Sequence, residues 1–237
     1  MTGRSIISAR RVAKNDVFVV ATSEPKTYFS NALIVCTGMR RRTLDIPGEE
    51  NYQRKGLFYG NLQDYSFVQG KDVAVIGGGN SALQMAENLH SVAGTIHLIS
   101  DFEITADRSV VERVTRYRNV RVYENSAVER FDGTSNIAEI IVRRKVEDRH
   151  TTLPVTGVFI SIGMEPNSGV ISSLVETNSS GEIRTGPDCA TSCPGLFAAG
   201  DVTDAFGKRI IIASGEGAKA SLSARKHILD LRKTAGK

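Results

Sequence analysis

The run Gly77-Gly78-Gly79-Asn80-Ser81-Ala82 reads G-x-G-x-x-A, directly after the apolar stretch Val73–Ile76 and before a helical pattern. Glycine at 77 permits a tight turn, glycine at 79 lets the backbone approach a pyrophosphate, and alanine at 82 lets helix and strand pack closely. Free N–H groups and the dipole at the start of the helix favour an anion there. The chemistry implied is dinucleotide binding through the phosphates, with Gly77, Gly79, Asn80 and Ser81 as contacts. A purely structural turn is the alternative. The next strand pattern, residues 95–99, ends in Ser100-Asp101-Phe102-Glu103. Asp101 falls about 20 residues beyond Gly79, where a carboxylate accepts hydrogen bonds from the ribose hydroxyls and repels a 2′-phosphate. It therefore favours NADH over NADPH, unless it merely begins a turn. A third candidate is Gly200-Asp201, which closes the apolar run 195–199. It puts a carboxylate at the carboxyl end of a strand, where α/β folds bind ligands.

Such residues need strands that feed helices. Residues 72–76 read as a buried strand, 81–91 as a helix with Leu83, Met85, Ala86 and Leu89 on its apolar side, and 95–99 as a second strand. A helix over 107–117 and a strand at Val120–Tyr123 complete a β-α-β-α-β order, which means a parallel sheet. Before it, Val17–Thr22 and residues 32–36 are β-rich, with the turn-prone Ser23-Glu24-Pro25-Lys26 between them. Ile46-Pro47-Gly48 reads as a linker. After it, 137–146 and 151–155 form part of an antiparallel meander turning near Glu147-Asp148, and 157–162 is a further buried strand. A turn at Ser179-Ser180-Gly181 precedes the strand 195–199, and the last helix is expected over about 215–232.

The 237 residues are 41% hydrophobic and 24% charged, the balance of a globular chain of one or two domains. Apolar runs such as 73–76 and 210–213 fall far short of the ~20 residues of a membrane helix. The start, Met-Thr-Gly-Arg-Ser, has neither region of a signal peptide. The net charge of +4 is scattered over short clusters (40–42, 143–145, 225–226) without interleaved aromatics, which argues against nucleic acid. Cys36, Cys189 and Cys193 are odd in number, which points to a reducing cytoplasm rather than a disulfide framework. The dispersed histidines give no zinc spacing, so no metal site is expected.

Further motifs occur in order along the chain: Ala32-Leu-Ile-Val-Cys-Thr-Gly38, Ile46-Pro-Gly-Glu, the glycine turn at 77–82, Ile162-Gly-Met-Glu-Pro-Asn167, Gly195-Leu-Phe-Ala-Ala-Gly-Asp201 and Arg209-Ile-Ile-Ile-Ala-Ser-Gly-Glu-Gly-Ala218. Together they resemble the two-domain flavoproteins of the bacterial thioredoxin reductase family. Within it, they most resemble the flavoprotein component of alkyl hydroperoxide reductase, especially through residues 210–224. The resemblance covers essentially the whole chain. It implies an α/β fold in which a doubly wound parallel-sheet NAD(P)-binding domain (48–162) is inserted in an incomplete FAD-binding domain (1–47 and 163–237), each with a small antiparallel meander. It assigns Gly77, Gly79, Asn80 and Ser81 to the nicotinamide dinucleotide, Asp201 to the ribityl–phosphate region of FAD, and Arg209, Ile210 and Ile211 to the isoalloxazine. Gly38, Gly163 and Gly200, from the strand-end motifs, are further cofactor contacts. Small residues at 214–218 also permit close helix packing.

Two departures qualify the resemblance. The family's redox-active C-x-x-C falls on positions 60–63, which here are Gly, Asn, Leu and Gln. Asp64 keeps the acidic residue that follows, but a chain without that dithiol cannot form the thiolate that accepts flavin electrons. Cys189 and Cys193 are a possible substitute centre at the wrong spacing, and inert thiols are the commoner outcome. Secondly, the family opens with its own strand–G-x-G-x-x-G–helix for the FAD pyrophosphate, whereas one glycine motif, not two, is found here. The chain is thus expected to be a fragment of a longer protein, with a degenerate FAD half as the alternative.

The leading expectation is an enzyme that passes hydride from NADH to FAD and electrons on to a thioredoxin-like, peroxiredoxin-like or ferredoxin-like protein or a disulfide, with a homodimeric full-length parent. The rival is a non-catalytic NAD(H)-binding sensor or interaction module. A simple Rossmann dehydrogenase is disfavoured, since no His/Arg/Asp or Ser-Tyr-Lys constellation follows the dinucleotide fold.

Overall fold

A computed structural model describes residues 3–12, 17–60 and 62–235. The chain divides into two compact units, one of Met1–Arg40 with Met164–Lys237, the other Arg41–Gly163. In the first unit, β1 (Ile6–Val12), β2 (Val17–Thr22) and β3 (Thr27–Ser30) form an antiparallel meander. Then come β4 (Leu33–Val35) and the short β5 (Met39–Arg41).

The second unit begins with α1 (Glu49–Tyr52) and β6 (Leu57–Tyr59). It continues through β7 (Val73–Ile76), α2 (Asn80–Leu89), β8 (Ile96–Ile99), α3 (Arg108–Val114) and β9 (Val120–Tyr123). A meander of β10 (Ser126–Gly133), β11 (Ile137–Arg144) and β12 (Arg149–Pro154) follows, and β13 (Gly157–Ile160) closes the unit. Its five-stranded sheet has the order β6-β13-β7-β8-β9, and every pairing is parallel. All four residues of β7, β8 and β13 are buried, as a parallel sheet covered on both faces requires. Alternate residues face opposite ways: Val73, Val75, Ile96 and Leu98 pack with Leu83, Leu89 and Val114 of the helices. Ala74, Ile76 and Ile99 pack with Val128, Phe131, Ile140 and Val142 of the meander.

Back in the first unit lie β14 (Met164–Pro166), which pairs with β5, β15 (Leu196–Ala198), which runs parallel to β4, and α4 (Ile210–Ala235). Phe18, Val35, Ile171, Ile183, Leu196 and Val202 form one of this unit's cores. The architecture is thus the expected α/β one, a parallel-sheet unit set in sequence within another, each with an antiparallel meander.

Two local expectations differ from the structure. Ile46-Pro47-Gly48 is packed rather than a linker. The Phe131 N–H donates to the Pro47 carbonyl (3.1 Å), a methyl group at Gly48 (φ +89°) would stand 2.3 Å from the Phe131 oxygen, and Glu49 is buried. The second unit accordingly starts at Arg41, and Gly163 ends it. The last helix begins at Ile210 rather than near Gly215, so the glycines at 215 and 217 are helical. Packing of Ala220 and Ala224 against Phe197 and Ala199 outweighs their poor helix propensity.

Candidate functional site

The carboxyl ends of β7, β8 and β13 open into a cleft of about 760 Å³ lined by residues 76–81, 100–103, 126–128 and 161–163, with 42–44 on its lip. β7 ends in the glycine turn for steric reasons. Gly77 has φ +134°, and a methyl group there would sit 2.3 Å from the Ser161 oxygen. At Gly78 it would sit 2.3 Å from Ser100 Oγ, a requirement that the motif alone does not announce. Gly79 is different: it has extended backbone, and an added methyl group would meet nothing within 4 Å. That open face is where another molecule's atoms can approach the chain closely.

Among the described residues, the N–H groups of Gly79, Asn80 and Ser81 have no acceptor, and no side chain caps α2. The dipole of α2 adds partial positive charge at the same place. The Asn80 side chain is already engaged: its Nδ2 donates to Asp107 Oδ2 (3.1 Å), and the Asp107 N–H donates to its Oδ1 (2.8 Å). What Asn80 offers a ligand is therefore its backbone N–H. Donors without acceptors, beside a glycine with open space in front of it, fit the pyrophosphate of a dinucleotide.

Asp101 lies in the same cleft, half-exposed and ion-paired with Lys145 (2.6 Å). Gly163 also lines this cleft, apart from the other strand-end glycines, and its carbonyl accepts the Arg42 N–H (3.2 Å). The segment 42–45 is fixed from below. Buried Glu49 accepts the N–H groups of Leu44 (3.0 Å) and Asp45 (2.7 Å) together with the Tyr59 hydroxyl. Burial, and then that bond to Glu49, push the Tyr59 phenol far up from its ordinary range. Arg42 itself is exposed and has no side-chain partner among the described residues. Sequence reasoning saw it only as part of a basic run; nothing local marks it as a cleft residue.

The remaining candidates lie in the first unit. Thr37-Gly38 is clamped by Asn167: Thr37 Oγ1 donates to the Asn167 carbonyl (2.7 Å), Asn167 Nδ2 to the Thr37 carbonyl (2.9 Å), and the Asn167 N–H to the Gly38 carbonyl (2.9 Å). Gly200 turns the chain after β15 at φ +78°, its N–H donating to Glu216 Oε2 on α4 (2.7 Å). Asp201 follows, partly exposed, its carboxylate without a partner among the described residues. Arg209 precedes α4, where Ile210 and Ile211 are 89% and 80% exposed. A free carboxylate and two uncovered isoleucines at a helix start fit the hydroxyls and the flat apolar ring of a flavin. Glu216, read from the sequence only within a small-residue stretch, ties α4 to the Gly-Asp turn.

The cysteines form no second centre. All three are free. Cys189 and Cys193 are buried, with Cys189 Sγ 3.6 Å from the Glu216 carbonyl, and burial raises its pKa. Around positions 60–63, where Asn61 lies outside the described residues, Asp64 accepts both the N–H and the hydroxyl of Ser66 (2.8 Å each). Those bonds lower its pKa and make it a cap of that turn. No helix among the described residues is long and apolar enough to cross a membrane.

The sequence profile of the family described as pyridine nucleotide-disulphide oxidoreductase matches residues 2–224. The NADH dehydrogenase of Bacillus subtilis (strain 168) is 36% identical over 224 residues, covering 93% of this chain and 44% of its own length. An alkyl hydroperoxide reductase component of Escherichia coli (strain K12) is 35% identical over 212 residues, covering 89% of this chain and 41% of its own. Among solved structures, Lactococcus lactis thioredoxin reductase in its FR conformation superposes with a TM-score of 0.72 at 26% identity, covering 95% of this chain and 74% of that one. The chain spans less than half the length of these curated relatives.

Proposed function

Since the chain belongs to the pyridine nucleotide-disulphide oxidoreductase family, we propose that it works as an NAD(P)H-dependent flavoprotein oxidoreductase whose second unit binds the dinucleotide. The observation that carries this reading is the row of unpaired N–H groups at 79–81, set beside the open face of Gly79 in a cleft of dinucleotide size. An anion at such a helix start gains about 0.3–1 kcal/mol from the dipole, and more where partly buried. Asp101 holds the adenosine ribose, and the carboxyl ends of β7 and β13 receive the remainder. Bound FAD supplies a ring that takes up hydride and passes electrons on. In this reading Asp201 would hold the ribityl–phosphate region of FAD, Gly38 and Gly200 would be further contacts, and Arg209, Ile210 and Ile211 would line the isoalloxazine. The N-terminus of α4 favours negative charge there.

Gly, Asn, Leu and Gln at positions 60–63 cannot relay electrons as a dithiol, and Asp64 is committed to Ser66. An external acceptor, a disulfide or a thioredoxin-like, peroxiredoxin-like or ferredoxin-like protein, would therefore take the electrons. Three unpaired thiols suit a reducing, cytoplasmic setting.

The test is the visible spectrum of the purified chain with added FAD, followed by anaerobic NADH. Protein-bound flavin bands that bleach with NADH are expected. NADH binding by a protein that takes up no flavin would refute a working flavin site in this chain and favour a nucleotide-binding module.

A further inference from the structure

The adenosine end of the cleft carries a charge arrangement that the glycine motif does not imply. Lys145 leaves the end of β11, its N–H donating to the Asn125 carbonyl (2.9 Å). Its ammonium reaches across to the turn after β8. Lys145 Nζ lies 2.6 Å from Asp101 Oδ1, donates to the Asp101 carbonyl (3.1 Å), and stands 4.8 Å from the centre of the Phe102 ring. Asp101 and Phe102 both line the cleft, and the Lys145 side chain is 34% exposed.

A bare carboxylate at the end of this strand selects against a 2′-phosphate by repulsion. Here that carboxylate is half of an ion pair, so the charge it presents is largely offset. An ammonium has three donors and no acceptor. Asp101 takes two of them and the Phe102 ring stands beside the ammonium, so a further oxygen has its exposed edge to approach. Lysine is a point-charge partner for phosphate and tolerates a range of approach directions.

We propose that Lys145 is a specificity-determining residue of the cleft: by pairing with Asp101 and offering its remaining donor to a 2′-phosphate, it makes the cleft accept NADPH as well as NADH. The inference rests on the reading of this cleft as a dinucleotide site.

The experiment is calorimetric titration of the whole chain with NAD⁺ and with NADP⁺, at low and at high salt, for the natural protein, Lys145→Gln and Asp101→Asn. The natural chain binds both nucleotides. Lys145→Gln loses roughly fivefold in NADP⁺ affinity, the scale of one partly exposed charge pair, while NAD⁺ affinity stays within about twofold. Asp101→Asn frees the ammonium and shifts the ratio towards NADP⁺. Both shifts shrink at high salt, where exposed charges are screened. NAD⁺ binding by Lys145→Gln also reports that the variant is folded. Equal loss of both nucleotides in Lys145→Gln, or a natural chain that binds NAD⁺ and rejects NADP⁺, overturns the inference alone. A chain that binds neither overturns the dinucleotide reading and this inference with it.

Discussion

The glycine turn separates folding from binding within three residues, and two alanine substitutions test that separation. In Gly77→Ala the new methyl group would lie 2.3 Å from the Ser161 oxygen and 2.9 Å from its carbonyl carbon, with φ at +134°. Both contacts are backbone, and Ser161 is itself tied to β7 through the bond from its N–H to the Ile76 carbonyl (2.8 Å). Relief therefore requires β7 and β13 to part. Left-handed or glycine-only backbone costs a substituted residue about 1–2 kcal/mol. Overpacking against a structure that cannot yield adds about 1–3 kcal/mol. Gly77→Ala should thus lose about 2–5 kcal/mol, a large share of the stability of a domain. Gly79→Ala meets nothing within 4 Å and has ordinary extended backbone, so its stability should stay within about 0.5 kcal/mol. Its methyl group stands on the face that a pyrophosphate needs, and dinucleotide affinity should fall tenfold or more, about 1.4 kcal/mol. Urea unfolding followed by circular dichroism, paired with NADH fluorescence titration, measures both quantities. If Gly79→Ala bound NADH as the natural chain does, the open face would not be the phosphate site. Equal destabilisation by the two variants would show the steric account of the turn to be wrong.

Two further outcomes follow from the same unit. His97 on β8 is buried, 3.2 Å from the Tyr123 hydroxyl, with burial the main cause lowering its pKa, Arg121 acting the same way and Asp72 opposing. A base whose pKa is lowered on folding binds more protons when unfolded. Stability should therefore be full above about pH 6.5 and fall as the pH drops below it, by up to about 1.4 kcal/mol per pH unit until the folded-state value is passed. His97→Gln should lack that slope in urea titrations between pH 5 and 8, and a variant that keeps it would acquit His97. Arg42 has no side-chain partner on the lip of the cleft, so Arg42→Ala should weaken NADH binding about threefold to tenfold at low salt, and less at high salt, with unfolding unchanged. A salt-independent loss would mean that Arg42 supports the fold of the lip instead.

The parallel-sheet unit was legible because its signals are local. Val73–Ile76 followed by three glycines and a helical period carries strand, turn and helix within one short window, and β7 and α2 lie there within two residues of the expected bounds. Where the local signal is diluted, tertiary packing decides the structure. Glycines at 215 and 217 argue locally against a helix, and only the burial of Ala220 and Ala224 against β15 explains why α4 runs through them from Ile210. Proline and glycine at 47 and 48 carry the composition of a linker. Yet Gly48 is needed because Phe131 passes too close for any side chain, a constraint set by a residue far along the chain.

The cleft repeats that lesson at the level of charge. Gly77 and Gly79 announce themselves by spacing, but Asp101 lines the same cleft and its surroundings cannot be read from the segment 100–103. Its partner Lys145 arrives from the end of a different strand, brought there by the pairing of β10 with β11 and by the bond from the Lys145 N–H to Asn125. Read alone, Asp101 predicts exclusion of a 2′-phosphate. Paired at 2.6 Å, the same carboxylate holds a cation beside it, and the charge it presents is largely offset. The charge presented at that corner, and on the proposed reading the nucleotide preference with it, is therefore a property of the folded meander and not of the motif. Moving Lys145 alone should shift that preference while every residue of the glycine turn stays as it is.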